Sequence, residues 1–88
     1  MKPLITIIGA KGKMGSAFTE LFRKHSISVL EVDVDAELKA EEAVPKADIV
    51  IFSVPIHSTV EVIRSLAPLA KSGALVTDVR ITLELARS

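Results

Sequence analysis

Gly9, Gly12 and Gly15 fall within the seven residues Gly9-Ala10-Lys11-Gly12-Lys13-Met14-Gly15, and Asp33 lies eighteen positions beyond the last of them. Glycines at this density let a backbone turn sharply and approach a bulky anion, which suits them to cradling a pyrophosphate. An acid about 20 residues further on is spaced to accept hydrogen bonds from the hydroxyls of an adenosine ribose. The register is not the usual one. The pattern G-x-G-x-x-G would set glycines at 10, 12 and 15, but position 10 is alanine and the extra glycine is Gly9. Gly12 then has the spacing for close approach to a pyrophosphate and Gly15 that for tight packing of a helix on a strand, while Ala10 must make the first turn with a methyl group present. Lys11 and Lys13 either add positive charge to the loop or are solvated.

Three glycines alone also fit an ordinary turn between a strand and a helix, and the spaced acid is what favours a dinucleotide site over that plain alternative. Asp35 is a neighbouring alternative to Asp33, which is ranked first. A carboxylate at this place repels a 2′-phosphate, so the expected cofactor is NAD in preference to NADP. No Gly-Lys-Ser/Thr follows four spacer residues, which excludes a Walker-type loop.

The elements that must hold these residues follow from periodicity. Leu4 to Ile8 is a β-branched run without polar alternation, as expected of a central parallel strand buried on both faces. Met14, Phe18, Leu21, Phe22 and His25 then recur on one stripe of a helix that begins near Lys13, with Ser16, Thr19, Glu20 and Arg23 on its other side. Such a helix start directs unpaired N–H groups and the positive end of the helix dipole at the phosphates. Ile27 to Val32 returns to strand character and leads into Asp33, completing a β-α-β unit. Ala36 to Ala43 predicts a short helix ended by Pro45, and Ala47 to Val54 a third buried strand closed by Pro55. Ser58 and Glu61 have capping-box spacing, so a helix is expected from about Ser58, ended or kinked by Pro68. Ala74 to Val79 supplies a fourth strand, and Thr82 to Ala86 the opening of another helix.

Strands alternating with helices predict an α/β chain, a Rossmann-like three-layer α/β/α fold with about four parallel strands in the order 2-1-3-4. Residues 1–88 are expected to form one dinucleotide-binding domain, incomplete at its carboxyl end. Ligands in such sheets bind beyond the carboxyl ends of the strands where the winding direction switches, here between the first and third strands. Both the glycine loop and Val54-Pro55-Ile56-His57 fall there.

Composition narrows the function classes. The 88 residues include no cysteine, which removes disulfides, thiolate metal sites and cysteine nucleophiles, and two histidines alone make a poor metal site. Eleven basic and eleven acidic residues balance to zero net charge, against a general nucleic-acid binder. The charges are nevertheless segregated: residues 1–30 carry Lys2, Lys11, Lys13, Arg23 and Lys24 against Glu20, and 31–42 carry six acids against Lys39. The longest apolar runs are far shorter than the roughly 18 residues that cross a bilayer, and the amino terminus opens onto a strand, so a cytoplasmic protein is expected.

Ile7-Ile8-Gly9-Ala10-Lys11-Gly12-Lys13-Met14-Gly15, together with Ala47-Asp48-Ile49-Val50-Ile51-Phe52-Ser53-Val54-Pro55-Ile56-His57-Ser58-Thr59, resembles the amino-terminal domain of prephenate dehydrogenases, the NAD(P)-dependent enzymes of tyrosine biosynthesis. The Ser-Val-Pro-Ile-His-x-Thr run is the more specific of the two segments, and Leu75-Val76-Thr77-Asp78 resembles the family's next strand. The likeness covers about residues 4–79. It implies oxidative decarboxylation of prephenate or arogenate with hydride passing to nicotinamide. It also implies a phosphate loop at Gly9, Gly12, Met14 and Gly15, a ribose acid at Asp33, and a nicotinamide-side strand end at Ser53, Val54, Pro55 and His57.

Two departures qualify the likeness. Asp78 is followed by Val79-Arg80-Ile81 in place of the family's Ser-Val-Lys, and the family's catalytic histidine motif and substrate arginine belong to regions beyond the matched segment. No catalytic residue is therefore assigned. His57 is read as lining the cofactor or entering a helix, His25 as packing or as a helix C-terminal contact, Ser53 as buried, and Arg80 as either an anion contact or solvated. The domain alone is expected to bind cofactor without turnover. The alternative is a non-catalytic dinucleotide-binding or assembly module, a reading that predicts a homodimer or a partner subunit that supplies the missing domain; the two readings can coexist.

Overall fold

A computed structural model of the chain describes residues 2–33, 39–53 and 56–78, and for 56–59 and 78 the backbone alone. Strands and helices alternate: β1 (Ile5–Ile8), α1 (Lys13–Lys24), β2 (Val29–Val32), α2 (Ala40–Ala43), β3 (Ile49–Phe52), α3 (Ile56–Leu66) and β4 (Leu75–Asp78), with 3-10 turns at Val44–Lys46 and Ala67–Leu69. All strand pairs are parallel, and the spatial order is β2-β1-β3-β4, as expected. Ile8 stands opposite Val32 on one side and Phe52 on the other, so three strand ends finish level. Whatever follows them is gathered at one edge of the sheet.

The central position of β1 explains its composition. Ile5, Thr6, Ile7 and Ile8 are all buried, because helices cover both faces of the strand. Side chains alternate across the pleat. Ile5, Ile7 and Ile51 point to the face where Phe18 and Phe22 of α1 pack, and Ile8, Val50 and Phe52 to the face covered from α2 and α3 by Ala43 and Leu66. Thr6 is the polar member of the run and is fully buried, with its hydroxyl donating to the carbonyl of Ala43 at 3.1 Å. This bond fastens the end of α2 to the middle of the sheet and removes the cost of burying a hydroxyl. The result is the three-layer arrangement read from the alternation of elements.

The helix α1 is rotated relative to the stripe expected from its apolar residues. Gly15 and Thr19 are its buried residues, while Met14 and Leu21 are exposed, Leu21 by 47%. Gly15 causes the difference, since its missing side chain lets the helix lie against the loop that precedes it. The turn around Gly15 and Thr19, with Phe18 and Phe22 beside it, thereby faces inward. Thr19 tolerates burial because its hydroxyl donates to the Gly15 carbonyl at 2.8 Å. At its far end the helix stops in a Schellman arrangement, with Ser26 in the left-handed region at φ 61°. There Ile27 N–H bonds the Phe22 carbonyl at 2.9 Å and Ser26 N–H that of Arg23 at 3.0 Å. His25 is the exposed C-cap residue, so the packing role expected for it does not apply.

The other boundaries shift modestly. The helix expected from Ser58 begins at Ile56, which puts Ser58 and Glu61 inside it and removes the capping box. Pro45 and Pro68 each fall in a 3-10 turn directly after a helix, consistent with their inability to continue the i to i−4 ladder. The start of the second helix at 36–38 and the opening helix at Thr82 to Ala86 lie outside the described residues. No helix among the described residues is long and apolar enough to cross a membrane.

Candidate functional site

The loop after β1 takes its shape from three features: a glycine in the left-handed region, a closed turn, and the end of β2 beside it. Gly9 has φ 89°, a conformation that L residues rarely adopt, and it makes the sharp turn one position ahead of the usual first glycine. Ala10 therefore needs no unusual geometry. It is buried, and its methyl belongs to the cluster formed by Ile5, Ile7 and Ile51. The N–H of Gly12 closes the turn on the Gly9 carbonyl at 3.1 Å. Ser16 then makes the first helical bond, N–H to the Gly12 carbonyl at 2.8 Å, and its hydroxyl returns to the Ala10 carbonyl at 3.2 Å.

With Gly12 as the N-cap and Ser16 making the first ladder bond, the N–H groups of Lys13, Met14 and Gly15 form the opening turn of α1. Helix geometry supplies no acceptor for these groups, and the dipole adds partial positive charge there. The two remaining loop glycines serve different purposes. A Cβ on Gly15 would fall well inside contact distance of the Gly9 carbonyl oxygen and 2.9 Å from Ala10 Cα, so the protein's own packing excludes a side chain. A Cβ on Gly12 would sit 3.5 Å from Gly9 O, an ordinary contact, and its φ of −71° suits any residue. Gly12 is exposed, and the missing side chain leaves a bare backbone surface over the start of the helix.

Asp33 follows β2 and is half-buried, and its Oδ2 accepts the Lys11 N–H at 2.8 Å. The acid and the loop, eighteen or more residues apart in the chain, are therefore in direct contact. Lys11, Lys13 and Met14 are exposed on the loop surface. Ser53, half-buried rather than buried, follows β3 and donates its N–H to the Ile8 carbonyl at 2.8 Å, so its backbone lies beside the start of the loop. The backbone of His57 lies in the first turn of α3, and its side chain lies outside the described residues, as do Val54, Pro55, Asp35 and Arg80. Gly9, Ala10, Gly12, Gly15, Asp33 and Ser53 are thus brought to one edge of the sheet.

One polar centre was not anticipated from the sequence, and it lies at the opposite edge. Asp48 Oδ2 accepts the Leu4 N–H at 2.8 Å, and Oδ1 pairs with Lys71 Nζ at 2.7 Å. The Leu4 amide first, and then the Lys71 ammonium, hold the Asp48 carboxyl below the ordinary aspartate range. The backbone of Asp48 also gives its N–H to Leu4 O and takes that of Leu75 at its own carbonyl. An aspartate just before an apolar strand is a visible sign, but its pairing with Lys71 depends on the register of β3 with β4.

Residues 14–82 match the family model described as the nucleotide-binding domain of prephenate dehydrogenase. The chain belongs to the prephenate dehydrogenase family. Within that family it is similar to the T-protein of Enterobacter agglomerans, with 37% identity over 76 residues, covering 86% of this chain and 20% of that protein. A probable arogenate/prephenate dehydrogenase of Methanocaldococcus jannaschii is 32% identical over 95 aligned positions, covering 92% and 21%. The chain thus spans about a fifth of the length of these relatives. Among solved structures, a semialdehyde dehydrogenase NAD-binding protein from Cupriavidus necator, in complex with calcium and NAD, superposes with a TM-score of 0.78 at 27% identity, over 89% of this chain and 33% of that one. Aspartate semialdehyde dehydrogenase II from Vibrio cholerae, at TM-score 0.59 and 17% identity, shares the fold. The chain is the nucleotide-binding domain of the prephenate dehydrogenase family, with a Rossmann-like fold and a dinucleotide cofactor.

Proposed function

We propose that the cofactor is NAD, held with its pyrophosphate over Gly12 and the first turn of α1 and its adenosine ribose on Asp33. The observation that carries this reading is the contact of Asp33 Oδ2 with the Lys11 amide, which sets a carboxylate beside the loop at the carboxyl ends of β1 and β2. The parts fit the group. Gly12 offers backbone without a side chain, the amides of Lys13 to Gly15 offer donors with dipole charge behind them, and Asp33 offers an acceptor to ribose hydroxyls. A carboxylate there disfavours a 2′-phosphate, so NADP is the weaker ligand. Lys11 and Lys13 sit on the exposed side of the loop, where they add favourable charge. Ser53, Val54, Pro55 and His57 form the nicotinamide side in this reading, on the strength of the family likeness. When bound, the nicotinamide accepts hydride, and the residues here bind it and orient it.

The activity of the whole enzyme is oxidative decarboxylation of prephenate or arogenate, and this domain contributes its cofactor half. NADH fluorescence titration tests the reading without interference, because the chain has no tryptophan or tyrosine. Enhanced NADH emission that saturates, with NADPH requiring higher concentrations, is expected. Unchanged emission at millimolar NADH, with the fold verified by circular dichroism, would sink it. The alternative, an assembly module that pairs with a second copy or a partner subunit, draws on Leu75, which is 59% exposed on β4. Light scattering that reports a monomer from micromolar to millimolar concentration counts against association.

A further inference from the structure

Three consecutive amides of the glycine loop donate to Val32, the last residue of β2, and to Asp33, which follows it. The N–H groups of Gly9 and Ala10 both reach the Val32 carbonyl, at 2.8 and 3.1 Å, and that of Lys11 reaches Asp33 Oδ2 at 2.8 Å. The first two bonds are backbone to backbone and involve no side chain. The third depends on a side chain. It lies where the loop, having left β1, passes the end of β2 and turns towards Gly12. A carboxylate has about four lone-pair sites, so accepting the Lys11 N–H is compatible with accepting ribose hydroxyls as well.

We propose that Asp33 is a positioning residue for the phosphate loop: its carboxylate completes a three-amide clasp that orders Lys11 and Gly12 before any nucleotide arrives. This deepens the NAD-binding reading and rests on it. Asp33 then serves the pyrophosphate, which it does not touch, as well as the ribose. Cofactor preference and loop order share one side chain, and a substitution at 33 that removes the acceptor as well as the charge, as Asp33→Ala does, both admits a 2′-phosphate and loosens the loop for both cofactors.

The test uses a ligand with no ribose. Inorganic pyrophosphate is titrated into the 88-residue chain and into Asp33→Ala and Asp33→Asn, followed by amide chemical shifts, with amide hydrogen exchange measured on the free proteins. If Asp33 acted on the pyrophosphate only as a nearby negative charge, both variants would bind it more tightly than the parent. The clasp gives the opposite sign for Asp33→Ala: Lys11 exchange about fivefold faster and pyrophosphate affinity lower by a similar factor. Asp33→Asn keeps an acceptor oxygen and restores both, while NADH loses its advantage over NADPH in both variants.

Unchanged Lys11 exchange in Asp33→Ala, or unchanged or tighter pyrophosphate binding, overturns the proposal. Should Asp33→Ala fail to fold, Asp33→Asn decides through its Lys11 exchange, which must stay within twofold of the parent. A parent protein that binds pyrophosphate but shows no preference for NADH removes the ribose role and leaves the clasp standing on the exchange data.

Discussion

Asp33 and Asp48 use the same device at opposite edges of one sheet. Each carboxylate accepts the amide of a residue beside β1 at 2.8 Å: Lys11, beyond its carboxyl end, for Asp33 and Leu4, before its amino end, for Asp48. Their surroundings give the two bonds different consequences. At the amino edge the second oxygen of Asp48 is taken by Lys71, and its backbone joins β1 to β4, so the group is absorbed into the framework. At the carboxyl edge Asp33 adjoins a helix start whose first-turn amides have no acceptor from the helix itself. The same bond thus closes one end of the sheet and shapes a receptive surface at the other. Parallel strands make this division possible, because every strand presents its carboxyl end to the same edge.

If the two edges divide the work in this way, variants at one should be silent in the readout of the other. The largest effect is expected from Gly15→Ala, because the added methyl meets fixed backbone at Gly9 and Ala10 rather than a movable side chain. A loss of about 3 kcal/mol in urea unfolding followed by circular dichroism is expected, with cofactor binding lost along with it. Unfolding within 0.5 kcal/mol or so of the parent would mean that the helix does not lie against the loop as described.

Gly12→Ala separates the two properties. Its methyl has room within the protein, so stability should change by less than about 0.5 kcal/mol. Cofactor approach is obstructed, so NADH affinity should fall roughly 30-fold, about 2 kcal/mol. Asp33→Ala comes next, with NADH weakened about tenfold and NADPH less, which narrows their ratio. An unchanged ratio in the fluorescence titration would remove Asp33 from the ribose.

Asp48→Asn should leave NADH affinity untouched and lower stability at neutral pH, with the difference from the parent closing in acid. The Asp48 carboxyl titrates lower in the folded chain than in the unfolded one. Its contribution is therefore complete above about pH 4 and lost as pH falls through the folded value. The parent should lose stability across that window more steeply than the variant, and added salt should reduce the Lys71 share of the difference. Parallel acid-unfolding curves for the two proteins would show that the Asp48 carboxylate, through the Leu4 amide and Lys71 together, makes no pH-dependent contribution, and any change in NADH affinity would break the division between the edges.

The parallel order of the strands and the placement of loop and acid at one edge were legible from signals at fixed spacing, whereas the hydrogen bond between Lys11 and Asp33 was not. Leu4 to Ile8 carries no polar alternation, Gly9 to Gly15 follows it directly, and Asp33 closes the next strand. The rotation of α1 was not legible, because a period of 3.6 identifies an amphipathic face without saying that a glycine will bring the small side in. Met14 and Leu21 have the apolar character of core residues, but the close approach at Gly15 buries Thr19 instead. Ser58 and Glu61 form a valid cap in sequence, but the helix begins at Ile56, two residues before the expected cap. Asp48 with Lys71 needed the pairing of β3 and β4 and could not be found from local spacing.

The double use of the Val32 carbonyl has a consequence for how the site comes into being. Because Gly9 and Ala10 are held by the end of β2, the observed shape of the loop requires β2 docked beside β1. Residues 5–33, one strand-helix-strand crossover, contain the groups that make up the phosphate surface. A nucleotide that recognises this surface binds the docked crossover and not the extended chain, so it draws the folding equilibrium towards the native state by RT ln(1 + [L]/Kd). At a hundredfold excess over Kd this amounts to about 2.7 kcal/mol, a substantial fraction of the net stability of a domain this small.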